Sequence, residues 1–199
     1  MYALVEDGSI SKLITNPKSM VIGDVQYPAK IFQLWSESEL NAIGIYEVIT
    51  DSSNFKDEKW YINTNESYAF ADDTVTRSWG TATPKAHADA NGVDENGDEL
   101  DPIVVIKGLK TKLIENLKSQ VANELAKTDW YITRNSEKST AIPSAISTHR
   151  DAVRTKQASM ETAITNASNT PALETLYTYT TDSDGVQSRP LGELPTLES

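Results

Sequence analysis

The sequence predicts an α+β protein in four parts. A small antiparallel β-rich module covers residues 1–83 and an acidic linker covers 84–102. A long antiparallel helical hairpin follows over 103–169, then a short C-terminal strand and tail over 170–199. Three observations predict this. Short β-branched and aromatic runs separated by turn dipeptides fill the first part. Residues 84–102 are dense in Asp, Glu, Asn and Gly and poor in large apolar side chains. From Ile103 to Ala167 apolar residues recur at helical spacing with no glycine after Gly108.

The first element is a hairpin. Tyr2 to Val5 and Ile10 to Ile14 flank Asp7-Gly8, a dipeptide suited to the positive φ of a tight turn. Asn16-Pro17 and Tyr27-Pro28 break the pattern. Ile31 to Trp35 reads as a strand or as the entry to a short helix. Ser36 to Ile43 has the marks of a capped helical turn: Ser36 or Ser38 as N-cap, acids in the first turn and Gly44 beyond the end. Ile45 to Thr50 alternates like a strand. Trp60 to Ile62, Tyr68 to Phe70 and Thr74 to Trp79 complete an antiparallel meander. Trp60, Tyr61, Tyr68 and Trp79 are the residues that would contact a receptor glycan if they were exposed. The same rings also suit the core of a small sheet, which needs large side chains to bury enough area.

In the first long helix the stripe is Ile106, Leu109, Leu113, Leu117, Val121 and Leu125. In the second it is Ile146, Val153, Met160 and Ala167 with Ile164. Ser144 is the expected N-cap of the second helix, and a loop of about 16 residues joins the two, so an antiparallel arrangement is expected. Each helix of such a pair buries one face well, which makes the remaining apolar edge a surface for another copy. Trp130 is expected to plug the open end. Arg150 and Arg154, four apart on one face, are expected to reach Asp129 or acids of the first helix and set the register, or else to form a docking face. Farther on, Thr170-Pro171 signals a helix start with Thr170 as cap. A short turn over 172–176, a strand over Tyr177 to Thr181 and a proline-containing tail from Arg189 to Ser199 follow.

Composition limits the function. The chain carries 29 acidic and 18 basic residues among 199, a formal charge of −11, with much of the excess between Asp89 and Asp101. An acidic chain without a basic cluster is a poor ligand for nucleic acid or for anionic membranes. No apolar run is long enough to span a bilayer, and the start lacks the pattern of a signal peptide, so a soluble protein is expected. There is no cysteine, hence no disulfide, thiolate metal site or cysteine nucleophile. Asp94, Asn96, Asp98, Glu99 and Asp101 bear some likeness to a calcium loop, but the glycine comes too early and the terminal bidentate acid is missing. No metal site and no cofactor are therefore expected. Neither His87, in the linker, nor His149, beside the second stripe, belongs to a catalytic pattern, and no nucleophile elbow, zinc motif or phosphate loop occurs. The expectation is a protein that is not an enzyme.

One further pattern is LAKTDW over 125–130, then AIPS over 141–144, then HRDAVR over 149–154. It resembles the C-terminal helical region of tail-fibre and tail-fibre-assembly proteins of tailed bacteriophages. There a helix ends in TDW, and a proline-bearing loop leads to a helix carrying YRxALR or YRxAVR. The matching residues are Thr128, Asp129, Trp130, Pro143, Arg150, Ala152, Val153 and Arg154, with His149 where the family usually has tyrosine. The opening MYALVEDGSISKLI and the later DTVTRSWGTATPK are similar to stretches of small phage tail proteins, so the resemblance covers about half the chain. It implies a structural tail component in the virion, homotrimeric and in contact with other tail proteins and with a host surface glycan. The alternatives are a fibre-assembly chaperone or a receptor-binding tail module.

Overall fold

The computed structural model describes residues 1–197; the last two residues of the expected tail, Glu198 and Ser199, lie outside the described residues. The chain is mixed α+β and divides into two compact units, Met1–Thr83 and Pro84–Ser199.

The first unit is built on a five-stranded sheet. Strands β1 (Tyr2–Glu6) and β2 (Ser9–Ile14) form the opening hairpin. Asp7 and Gly8 both take positive φ, 51° and 74°, as a two-residue turn matched to strand twist requires. A small hairpin, β3 (Met20–Ile22) and β4 (Val25–Tyr27), leads to α1 (Ile31–Leu34) and α2 (Glu37–Asn41). Ser36 and Glu39 form a full capping box at the start of α2. Then come β5 (Ile45–Thr50), the two-residue β6 (Tyr61–Ile62), β7 (Ser67–Ala71), β8 (Thr74–Ser78) and, at the unit boundary, β9 (Thr83–Pro84).

The sheet order is β2-β1-β5-β8-β7. The expected antiparallel module is corrected at one place: β5 and β8 run parallel, Val48 beside Val75. Residues 51–73 are long enough to carry the chain back over the sheet, which a hairpin turn cannot do. The meander reduces to β7–β8, turned by Asp72 and Asp73, again both at positive φ. Both faces of the sheet are covered. Leu4 and Ile45, cross-strand neighbours, bury one face with Ile14, Ile31 and Leu40. Ala3, Val5 and Val75 bury the other with Tyr46 and Phe70 packed on them. Gly44, at φ +81°, lets the chain enter β5: a Cβ there would lie 2.6 Å from the Val5 carbonyl oxygen.

The second unit opens with a two-stranded ribbon, β10 (Ala90–Asn91) against β11 (Val105–Ile106). Four helices follow: α3 (Leu109–Ala126), α4 (Asp129–Lys138), α5 (Ser144–Asn166) and α6 (Thr170–Tyr177). A last ribbon pairs β12 (Thr180–Thr181) with β13 (Gln187–Ser188). Helix α3 packs against α5, and α6 against α5. Leu117, Val121, Ile146, Val153, Met160, Ile164 and Leu173 are buried.

Several boundaries differ from expectation. The first long helix starts at Leu109, and Ile106 belongs to a strand rather than to the stripe. Gly108 marks the change: its extended backbone approaches Ala88 so closely that a Cβ would sit 2.3 Å from the Ala88 oxygen. Ten residues of the expected inter-helix loop form α4, with Asp129 in its first turn, Lys138 in its last and Ser139 left-handed at its end. Ser144 is the first residue of α5 rather than its cap. Helix α6 is capped by the Asn169 side chain, which accepts from the Ala172 N–H, and it absorbs both the expected turn over 172–176 and Tyr177. Thr170 instead donates its hydroxyl to the Lys85 carbonyl at 2.6 Å.

The acidic stretch is more than a tether. No side chain of α3's own N-cap residue caps that helix, and residues 86–89 do so instead. The carbonyls of Ala86 and His87 accept from the N–H groups of Leu109 and Lys110. The Asp89 carboxylate accepts from the Gly108 N–H at 2.8 Å and the Thr111 hydroxyl at 2.9 Å. Those hydrogen bonds, Thr111 first, hold the Asp89 carboxyl below its ordinary value. An anion at this position also faces the positive end of the helix.

Candidate functional site

The residues singled out in the helical region meet at one polar node. Arg150, in the second turn of α5, is 8% exposed. Its Nη1 donates to three oxygens around the α3–α4 junction: the Leu125 carbonyl at 2.7 Å, Thr128 Oγ1 at 2.7 Å and Asp129 Oδ1 at 2.8 Å. Thr128 is buried and donates its own hydroxyl to the Leu125 carbonyl at 3.0 Å. The α3 C-terminus leaves carbonyls without helical partners, and the guanidinium supplies both donors and the favoured charge for that end. Asp129 is the open side of the node, its side chain 60% exposed. Arg154 does not join it; it pairs with exposed Asp151 at 3.3 Å instead. The expected pair of register arginines becomes one.

Beside the node lies a second buried pair that the sequence did not single out. His149 Nε2 faces Glu124 Oε1 at 3.2 Å, too poorly aligned to count as a hydrogen bond. The other oxygen of Glu124 accepts from the Lys127 ammonium. Lys127 first, and His149 after it, hold the Glu124 carboxyl below the ordinary glutamate value. The only sequence signal for Glu124 was its position, three after Val121 on the buried side of α3, where an acid needs partners.

Trp130 does not plug the helix pair. It is 53% exposed on α4, its ring 4.4 Å from that of Tyr131, with the Arg134 guanidinium 4.4 Å from its centre. Among the described residues, α4 has no buried member. The stripe residues divide: Leu117, Val121, Ile146, Val153, Met160 and Ile164 are buried, while Leu109, Leu113 and Leu125 are only partly covered. At the start of α3 Lys110 Nζ donates to the Thr165 carbonyl near the end of α5, at 2.7 Å.

In the first unit the four aromatics do not form a platform. Trp60 and Tyr61 are 3% and 4% exposed, so neither offers a ring face to a sugar. Tyr68 and Trp79 are partly exposed. The Tyr68 hydroxyl donates to Glu66 at 2.6 Å, and Trp79 packs edge-on against Phe55 beneath the Arg77 guanidinium.

The Asp94 loop is a turn organised by its own carboxylate. Asp94 Oδ1 accepts from the N–H groups of Asn96 at 2.8 Å and Asp98 at 3.0 Å, and Gly97 takes φ +90°. The Asp98 N–H is the main cause of the lowered Asp94 pKa. Among the described residues no cluster of three His, Asp or Glu could hold a metal ion, and no helix is long and apolar enough to cross a membrane. No family model, curated protein or solved structure matches the chain.

Proposed function

We propose that the chain is a non-enzymatic structural component of a bacteriophage tail, a tail-fibre or fibre-attachment protein. In this reading α3 and α5 are the arms of an antiparallel hairpin through which three copies associate. One observation carries it. The residues that bear the resemblance to phage tail proteins converge in space, with Thr128, between α3 and α4, and Asp129, the first residue of α4, held on Arg150 of α5. Two contacts support the antiparallel arms: Arg150 meets the last turn of α3, and Lys110 in the first turn of α3 meets Thr165 near the end of α5. The partly covered Leu109, Leu113 and Leu125 leave an apolar edge along α3, the kind of surface a bundle of copies buries.

The partners of this reading are further copies of the chain and other tail proteins, and its place is the virion. Host-glycan contact would rest on Tyr68 and Trp79, since Trp60 and Tyr61 are buried. The test is mass spectrometry of purified particles with native mass of the isolated chain alongside. A stoichiometric amount in particles and a trimer in solution are expected. Absence from particles, with co-purification of a longer fibre protein, would overturn the structural role in favour of an assembly chaperone.

A further inference from the structure

Two Asn-Gly dipeptides, Asn91-Gly92 and Asn96-Gly97, lie in the acidic stretch of the second unit. An asparagine followed by glycine can react with its own backbone. The glycine nitrogen, having given its proton to solvent, attacks the asparagine Cγ. The Cγ–Nδ2 bond breaks, ammonia leaves with a proton taken from water, and a five-membered succinimide closes. Water then opens the ring at one of its two carbonyls and leaves either aspartate or isoaspartate. The net reaction consumes one water and releases one ammonia, with no change of oxidation state. Glycine permits the attack because no Cβ shields its nitrogen. Two groups must be free to move, the glycine N–H and the asparagine carboxamide.

The fold treats the two dipeptides differently. Asn91 belongs to β10 and pairs with Val105 of β11. The Gly92 N–H donates to the Val104 carbonyl at 2.7 Å, and Gly92 is buried. A Cβ on Gly92 would meet both Leu100 Cδ1 and the Val104 oxygen at 3.1 Å, so the space around this residue is filled. The Asn91 carboxamide donates to Glu99 Oε1 at 2.9 Å. Nucleophile and electrophile are therefore both held, and reaction there waits on opening of the ribbon. Asn96 and Gly97 are exposed and lie outside any strand or helix. The Gly97 N–H donates to the Asp94 carbonyl at 3.1 Å, and the Asn96 carboxamide lies 3.4 Å from Asp94 Oδ2. A Cβ on Gly97 would meet nothing within 4 Å. Both contacts are to one residue of the same solvated turn, so a local fluctuation releases them together at less cost than unpairing a strand.

We propose that Asn96 is a site of spontaneous deamidation and isomerisation, with Asn91 protected by its ribbon. The product changes the loop in two ways. It adds a carboxylate beside Asp94, Glu95, Asp98 and Glu99 in a chain whose formal charge is already −11. Isoaspartate also routes the backbone through Cβ, which inserts one carbon between the N–H groups of residues 96 and 98. Asp94 Oδ1 accepts from both, at 2.8 and 3.0 Å, and the lengthened loop no longer presents the two at that spacing. The chemistry is independent of the assembly proposed above and stands without it.

The test holds the full-length protein in warm, mildly alkaline buffer and follows its proteolytic peptides over time by mass spectrometry. Deamidation replaces –NH2 by –OH, and fragment ions place the gain in mass at residue 91 or residue 96. Isoaspartate is identified by its acceptance of a methyl group from an isoaspartate methyltransferase. Asn96 is expected to convert at least roughly tenfold faster than Asn91. The same incubation in urea, where the fold is lost, brings the two rates within about twofold of each other, since each asparagine precedes a glycine. Asn96 that stays intact in the folded protein overturns the proposal, and so does Asn91 converting as fast as Asn96. A difference in rate that persists in urea assigns the selectivity to neighbouring sequence and overturns the protection given to the ribbon.

Discussion

Replacing Arg150 by methionine removes the guanidinium while keeping an apolar stem of similar length. Three hydrogen bonds end, but they are unequal. The bond to Asp129 reaches a largely exposed carboxylate and is worth about 0–1 kcal/mol after solvent screening. The Leu125 carbonyl keeps the Thr128 hydroxyl as a donor, so it is not orphaned. The loss falls mainly on two buried charge-assisted bonds of about 1.5–3 kcal/mol each. Against this, Arg150 Nε is buried without a partner, and removing a poorly solvated charge recovers part of the cost. The net expectation is a loss of about 2 kcal/mol. Urea unfolding followed at 222 nm, where the helices of the second unit dominate, reads it as a midpoint lowered by about 1 M for a slope near 2 kcal/mol/M. Arg154→Met, which breaks only an exposed pair, shifts the midpoint within about 0.5 kcal/mol. A loss below about 0.5 kcal/mol for Arg150→Met, or an equal loss for Arg154→Met, would refute the view that Arg150 caps α3.

Three other outcomes are expected. Leu117→Ala leaves a cavity between α3 and α5 and lowers stability by about 2–4 kcal/mol, with Leu117→Asp abolishing the helical signal; both are read by the same titration. Glu124 has its folded pKa depressed, so its contribution is fully present above the ordinary glutamate value and is lost as pH falls through the lower folded value. Thermal melts taken between about pH 5 and pH 3 decline in wild type and more shallowly in Glu124→Gln, and identical slopes would exclude Glu124 as a source of the acid sensitivity. Gly44→Ala forces a Cβ against the Val5 carbonyl at positive φ and lowers the stability of the first unit by roughly 2 kcal/mol, measured by tryptophan fluorescence.

The parts of the fold that were legible in the sequence are those where one local rule acts alone. Asp7-Gly8 selects a hairpin turn, Ser36 and Glu39 close a capping box, and the 144–166 stripe needs only helical periodicity. Where a distant segment decides, local rules fail. Ile106 matches the helical spacing of Leu109 and Leu113, yet Gly108 must stay extended to pass Ala88 and accept Asp89 as its partner, so the helix starts after it. The parallel β5–β8 pairing is invisible because alternation in each strand says nothing of direction. The charges of helix α4 were readable in principle, with Asp129 in its first turn and Lys138 in its last, whereas the left-handed Ser139 that ends it carries no sequence signal.

The same reasoning separates Arg150 from Arg154. Spacing of four places both on one face of α5, but a helix end offers unpaired carbonyls only over its last turn. Only the arginine level with that turn is buried and triply bonded, and the next one emerges into solvent. His149 shares that level. It faces Glu124 in α3, whereas Arg150 faces the turn of backbone that follows Glu124. Two adjacent residues of α5 thus hold two different features of α3, one a side chain and one a helix terminus. This makes the 124–129 and 149–150 segments a single structural unit. Substitutions there are expected to be non-additive, whereas those along the 153–164 stripe are expected to add.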